Sequence, residues 1–263
     1  MQRQGLIDLK EMKAIVSRLL TQTPVRDIPV TVQKGLAKGA RWSFLPHSAY
    51  WRCGGHEPDV EAAIHLHGCI RGATCWDLGT HFGIYTVGMA MAVGSEGQVV
   101  GFEPDPVSFK RCQHHVQINS LSWVKLFNAA VSDTETSVSL ILSQGAGAST
   151  SHLAYESENP DDASVKITVP TVVLDKLVER GEIRPPQLLK IDIEGHGAKA
   201  LKGACKTLAT YRPTIVMSFH SQWEVEDTRK LLEPIGYRSF TCAGLEVDWP
   251  ATDFRGTAIF RCL

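Results

Sequence analysis

Apolar and polar residues recur along this chain with two different periods, and the changes between them mark successive strands and helices. Residues 5–20 have the apolar spacing of an amphipathic helix. Residues 21–56 are rich in Pro, Gly and aromatic side chains and predict an irregular cap or a small antiparallel element. A further helix is predicted over residues 57–69, where Pro58 suits the first turn. From residue 73 onward we predict strands at 73–78, 98–103, 124–131, 138–142, 166–173, 187–193, 213–219, 236–241 and 257–262, and helices at 83–93, 106–119, 174–180, 196–210 and 223–233.

This alternation predicts an α/β fold, a mostly parallel sheet with helices on both faces. At 263 residues the chain has room for one large domain with a small addition. We therefore divide it into an N-terminal helix and irregular cap over residues 1–56 and an α/β domain over residues 57–263. Two stretches without periodicity, residues 144–151 and 156–164, predict a flap over a site.

Composition and charge narrow the classes of function. The chain is 43% hydrophobic and 21% charged with a net charge of −1, and it has no basic run, so we expect no nucleic acid partner. No apolar stretch approaches 18 residues and the first residues have no secretory pattern, so we expect no membrane partner. Seven scattered cysteines favour a reducing, cytoplasmic setting without disulfides.

The first candidate site is the turn that follows the strand at 73–78. Asp77 ends an apolar run, and Gly79 and Gly83 flank the start of a helix whose N–H groups suit an anionic or nucleotide-like ligand. Glu103 ends the next predicted strand, where an acidic side chain suits ribose hydroxyls. The alternative is a tight turn without a ligand. The glycine spacing is not G-x-G-x-x-G, and the chain has no P-loop motif.

The second candidate site lies at the end of the strand at 187–193. Asp192 and Glu194 leave its carboxyl end, the edge at which open α/β sheets bind ligands. These carboxylates can orient a hydroxyl, accept its proton or hold a divalent cation; alternatively, Asp192 caps the next helix and Glu194 faces solvent. His220 ends the following strand and is either a general base or a structural histidine. The sequence leaves a metal site open.

Four ordered motifs resemble those of the FkbM-type S-adenosylmethionine-dependent methyltransferases, over roughly residues 57 to 240. The motifs are Asp77-Leu-Gly-Thr-His-Phe-Gly-Ile-Tyr-Thr86, Gly101-Phe-Glu103-Pro-Asp-Pro106, Asn128-Ala-Ala-Val-Ser-Asp133 and Leu189-Lys-Ile-Asp192-Ile-Glu-Gly195. The resemblance implies a class I methyltransferase fold, Rossmann-like, with a seven-stranded sheet whose last strand is antiparallel, and S-adenosyl-L-methionine as cofactor.

The resemblance also implies roles for individual residues. Glu103 would bind the ribose hydroxyls, Ala130 would lie in the segment that flanks the adenine, and Asp192 would adjoin both cofactor and acceptor. Glu194 would face the acceptor. The methionine part of the cofactor would be held by Asp77, Gly79, Thr80, His81 and Gly83.

Three positions depart from the family pattern. His81 stands where Asn is usual, Gly197 where a second Glu is usual, and Ser218 where an acid often precedes the terminal histidine. The first departure affects hydrogen bonds on the cofactor side. The other two remove carboxylates from the acceptor side.

We therefore predict an enzyme that methylates a hydroxyl of a sugar or natural-product-like small molecule, with Asp192, Glu194 or His220 as the catalytic residue that deprotonates or orients the hydroxyl. The alternatives are an NAD(P)-dependent oxidoreductase and a non-catalytic nucleotide-binding module on the same fold. For residues 1–56 two roles stay open, a lid on the acceptor site or a contact within a homodimer.

Overall fold

A computed structural model describes residues 29–43, 57–142, 152–153 and 165–262. The predicted helix at 5–20 and the predicted flap at 144–151 and 156–164 lie outside the described residues. Of the segment 21–56 only residues 29–43 are described, and they form the second predicted alternative, a small antiparallel element, with Pro29 opposite Ser43.

The helices and strands are named here in chain order. The strands are β1 (Pro29–Thr31), β2 (Arg41–Ser43), β3 (Thr74–Leu78), β4 (Gln98–Phe102), β5 (Val124–Phe127), β6 (Ala130–Val131), β7 (Ser137–Leu142), β8 (His152–Leu153), β9 (Val165–Val172), β10 (Leu188–Ile191), β11 (Thr214–Phe219), β12 (Tyr237–Phe240), β13 (Glu246–Val247) and β14 (Gly256–Cys262). The helices are α1 (Pro58–His67), α2 (Ile84–Val93), α3 (Pro106–Ile118), α4 (Leu174–Glu179), α5 (Gly197–Lys202), α6 (Cys205–Tyr211) and α7 (Gln222–Leu232), followed by a 3-10 turn at Glu233–Ile235.

The main sheet has the strand order β13-β12-β14-β11-β10-β3-β4-β5. Five neighbouring strands run parallel, namely β11, β10, β3, β4 and β5. The last described strand, β14, runs antiparallel to both of its neighbours. The predicted class I α/β fold is thereby confirmed. The sheet has eight strands rather than the predicted seven because the two-residue strand β13 extends its edge.

Helices cover both faces of this sheet. Successive residues of β3 point to opposite sides, so Cys75 packs into one buried cluster with α1, α2 and the β1–β2 hairpin, while Trp76 packs into a second with α4 to α7. The hairpin is fixed by Trp42, which is fully buried and stacks on the ring of His115 in α3 at 3.5 Å. No helix in the described part of the chain is long and apolar enough to cross a membrane.

Two predicted elements are each divided in two. The predicted strand at 124–131 breaks at Asn128, whose side-chain amide donates to the carbonyls of Glu103 and Pro104. Its second part, β6, pairs with β9 in a separate four-stranded sheet, β6-β9-β7-β8. The predicted helix at 196–210 breaks after Lys202 because the carboxylate of Asp175 accepts hydrogen bonds from the amides of Lys206 and Thr207 and so caps a new helix, α6.

Candidate functional site

The turn after β3 depends on two glycines in the left-handed region, Gly79 with φ of 85° and Gly83 with φ of 89°. A Cβ atom on Gly79 would collide with the backbone carbonyl oxygen of Asp192, and one on Gly83 would lie 2.6 Å from the sulfur of Cys112. The turn therefore passes directly against the end of β10 and against α3. Side chains at these two positions would push it away from both.

The backbone of the turn is held by the two neighbouring strands. The amides of Gly79 and Thr80 both donate to the carbonyl of Phe102, at 3.0 and 3.1 Å, and the amide of Asp192 donates to the carbonyl of Leu78 at 3.0 Å. Thr80 is buried, and its methyl group fills the space above Gly101. The amides of Gly79 and Thr80 thus serve the sheet and are not directed at a ligand.

His81 and Glu103 lie together, although they belong to different loops. His81 adopts a left-handed conformation with φ of 49°, which is costly for a residue with a side chain. Its amide donates to Oε2 of Glu103 at 2.7 Å, and its ring stacks on Phe82 at 3.9 Å. The amide of Asp105 donates to Oε1 of the same carboxylate at 3.0 Å. Burial raises the pKa of Glu103 to about 7, although the two amides oppose the rise.

Asp77 is completely buried at the end of β3. The hydroxyl of Thr86 in α2 donates to its Oδ2 at 2.6 Å, and Nζ of Lys190 lies 3.4 Å from its Oδ1. The registers of β3 and β10 place Lys190 directly opposite Asp77, on the same face of the sheet. Burial raises the pKa of Asp77, and the lysine and threonine partly offset this effect.

Lys190 forms the centre of a buried charge cluster that the sequence pattern did not reveal. Its ammonium group lies 3.4 Å from Asp77, 3.5 Å from Asp192 and 4.7 Å from the centre of the Tyr85 ring, and its side chain is 3% exposed. Burial acts to lower the pKa of Lys190, but the two carboxylates outweigh burial and raise it. A lysine inside the apolar strand Leu188–Ile191, just before Asp192, was the available signal, because a buried cation requires an anionic partner.

The three predicted catalytic residues are brought together at the carboxyl edge of the sheet. Nε2 of His220 lies 3.0 Å from Oδ1 of Asp192, and its Nδ1 lies 3.2 Å from Oε2 of Glu194. Burial lowers the pKa of His220, but the hydrogen bond to Asp192 and the charge of Glu194 outweigh it, so the net shift is upward. Burial acts to raise the pKa of Asp192, yet Lys190 and His220 lower it well below its usual range.

This arrangement changes what the histidine can do. An imidazole with a carboxylate at each nitrogen is favoured in its protonated form, and it then has no free lone pair with which to accept another proton. The group in the cluster that can accept one is a carboxylate oxygen. Asp192 and Glu194 are similarly exposed, but Lys190 contacts Asp192 and lowers its pKa, so Glu194 is the better candidate to accept a proton.

The remaining predicted residues lie around this cluster. Ala130 is buried in β6, opposite Thr171 of β9, so the segment predicted to flank an adenine belongs to the second sheet. Ser218 faces β14, where its hydroxyl lies 2.9 Å from that of Thr257. The amide of Gly197 donates to Glu224, a buried carboxylate of α7 that the sequence pattern also did not reveal. Within the described ranges, no group of three or more His, Cys, Asp or Glu side chains is arranged to hold a metal ion.

Comparison with known proteins gives one family. The model of the family described as methyltransferase FkbM domain matches residues 77–239. The hexuronic acid methyltransferase AglP of Haloferax volcanii is 25% identical over 164 residues, which are 60% of this chain and 60% of that protein. The chain therefore spans less than two thirds of the length of this curated relative.

Two solved structures are similar in fold. Methyltransferase FkbM from Methylobacillus flagellatus KT is 19% identical, with a TM-score of 0.48, over 72% of this chain and 43% of that chain. A SAM-dependent O-methyltransferase from Thermotoga maritima is 13% identical, with a TM-score of 0.48, over 100% of this chain and 84% of that chain.

The contact between Gly79 and Asp192 can be tested against a glycine in open space. Gly181 has φ of 70°, and a methyl group added to it would meet no atom within 4 Å. Gly181→Ala should therefore lower the free energy of unfolding by only about 1 kcal/mol, the cost of a left-handed conformation for a residue with a side chain. Gly79→Ala should lose about 1–3 kcal/mol more, because its methyl group also overpacks the turn. Urea unfolding of both variants measures the difference. Equal losses would show that the turn tolerates a side chain here.

The buried cation can be removed by Lys190→Met, which keeps the volume of the side chain. We expect unfolding free energy to fall by about 3–5 kcal/mol, because Asp77 and Asp192 lose their shared partner. Lys202→Met is the matched control, since Lys202 is 63% exposed and pairs with Asp133 at the surface. The control should leave the urea midpoint within experimental error. A loss for Lys190→Met as small as that of the control would contradict a central role for this charge.

Proposed function

This chain belongs to the FkbM methyltransferase family, and we propose that it transfers a methyl group from S-adenosylmethionine to a hydroxyl oxygen of a sugar or a related small molecule. The relative AglP is named a hexuronic acid methyltransferase, which supports a sugar as the acceptor class. The observation that carries the proposal is the junction of the glycine turn with Glu103 and Asp192 at one edge of the sheet.

The described residues fit this cofactor. We assign the methionine portion to the turn that includes Gly79, Thr80, His81 and Gly83, in front of the buried Asp77, because this turn lies next to Glu103 and to the end of β10. Each oxygen of Glu103 accepts one backbone amide and keeps lone-pair capacity for ribose hydroxyls. We assign the adenine to the segment that includes Ala130. When bound, S-adenosylmethionine supplies a methyl group on a positively charged sulfur.

The protein's own contribution is alignment and the handling of one proton. Holding an acceptor oxygen in line with the methyl group accounts for much of the rate enhancement expected of such a site. We assign removal of the hydroxyl proton to a carboxylate, with Glu194 as the acceptor of the proton, because both nitrogens of His220 face carboxylates. Asp192 and His220 then orient Glu194 and the acceptor hydroxyl.

The proposal is tested first by binding and then by turnover. Calorimetry should detect binding of S-adenosylhomocysteine to the purified chain, while NAD and NADP should give no heat above dilution. With S-adenosylmethionine and a panel of neutral, amino and uronic acid glycosides, formation of S-adenosylhomocysteine should depend on the sugar and fall at least about 100-fold in Glu194→Gln. If neither S-adenosylmethionine nor S-adenosylhomocysteine binds the purified chain, the proposed function is wrong.

The assignment of Glu103 to the ribose predicts a pH dependence of binding. Ribose hydroxyls donate more strongly to the ionised carboxylate, so affinity should rise as the pH increases through about 7, the pKa of Glu103. Binding should be about tenfold weaker at pH 6 than at pH 8, because the ionised fraction of Glu103 is about tenfold smaller. Glu103→Gln should bind more weakly and lose this dependence, whereas His81→Asn should keep it. A wild-type affinity that is constant between pH 6 and 8 would refute the assignment.

A further inference from the structure

Glu224 is a buried carboxylate that links the connections after β10 and after β11, at the carboxyl edge of the sheet. It lies in the first turn of α7 with only 1% of the residue exposed. Its Oε1 accepts from the amide of Gly197, at 2.8 Å, and its Oε2 accepts from the amide of His220, at 3.1 Å. One amide begins the helix after β10 and the other follows β11. The carboxylate therefore links the two chain segments that carry Asp192, Glu194 and His220.

The space that Glu224 occupies exists because residue 197 is glycine. A Cβ atom at this position would lie 2.5 Å from Cε of Met217 and 2.8 Å from Oε1 of Glu224. Real Cβ atoms do not approach other atoms so closely, and the methionine and the carboxylate would both have to move. Gly197 and Glu224 therefore form a matched pair, in which the first leaves the room that the second fills.

We propose that Glu224 is a positioning residue, which holds His220 in place between Asp192 and Glu194. The amide of His220 is fixed by Glu224 from α7, while its ring is fixed by Asp192 and Glu194 from the connection after β10. The ammonium group of Lys190 contacts Oδ2 of Asp192, whose Oδ1 faces His220, and so favours the negative charge on that carboxylate. The proposal rests on the proposed function only for the use of His220 in methyl transfer.

The charges support this geometry. Burial raises the pKa of Glu224, while the amides of His220 and Gly197 and the charge of His220 oppose the rise. The negative charge of Glu224 adds to those of Asp192 and Glu194 in raising the pKa of His220 against the effect of burial. A glutamate at the third position of a helix often only caps the first turn. Glu224 also has this role, because it accepts a hydrogen bond from the amide of Ser221. A cap alone would not reach Gly197.

The test measures the histidine itself and needs neither cofactor nor acceptor. The ring of His220 is titrated by NMR in wild type, Glu224→Gln and Glu226→Gln; Glu226 is the control because it lies exposed on the same helix beside Lys230. The midpoint of His220 should be lower in Glu224→Gln than in wild type and unchanged in Glu226→Gln. An unchanged midpoint in folded Glu224→Gln would overturn the proposal, while leaving the proposed methyl transfer intact.

A second measurement on the wild-type protein keeps the proposal testable if Glu224→Gln does not fold. The backbone amides of Gly197 and His220 both donate to Glu224, so their proton shifts should change together as that carboxyl group titrates. A shared midpoint for the two amides is the expected result. Two different midpoints, or shifts that do not respond to pH, would contradict the bridging role.

Discussion

The ammonium group of Lys190 is the charge on which the candidate site depends. Parallel pairing of β3 and β10 sets this lysine opposite Asp77, and Asp192 follows two residues later at the same edge. Without the cation, the fully buried Asp77 and the partly buried Asp192 would lie close together, and at least one would favour its protonated form. The lysine thus allows the carboxylates at the carboxyl ends of β3 and β10 both to carry a negative charge.

From Lys190 the charges alternate outward along the edge of the sheet. Asp192 lies between the lysine and His220, and His220 in turn lies between Asp192 and Glu194. Each group stabilises the ionised form of the next, which favours a protonated histidine between two ionised carboxylates. The edge is therefore fully buried at Asp77 and Lys190 and partly exposed at Asp192, His220 and Glu194.

The sequence alone indicated those parts of this arrangement that depend on neighbouring residues. The strand, turn and helix around Gly79 and Gly83, and the carboxylates at the end of β10, follow from local apolar patterns and from glycine positions. It could not indicate contacts between distant segments. Glu224 meets Gly197 through a tertiary contact, and Asp175 divides the predicted helix at 196–210 from outside that helix. The same holds for Lys190, because its partner Asp77 lies on another strand and strand register has no local signature.

The proposed cofactor side and the proposed acceptor side of the site are not independent, because they touch at Gly79. The backbone of Asp192 lies where a side chain on Gly79 would be, and the carboxylate of Asp192 shares Lys190 with Asp77. A change that moves Asp192 must therefore also disturb the turn. Glu194 and His220 lie beyond this junction and are held mainly by side chains and by Glu224. Substitutions at Glu194, His220 or Glu224 should consequently disturb the turn less than substitutions at Asp192.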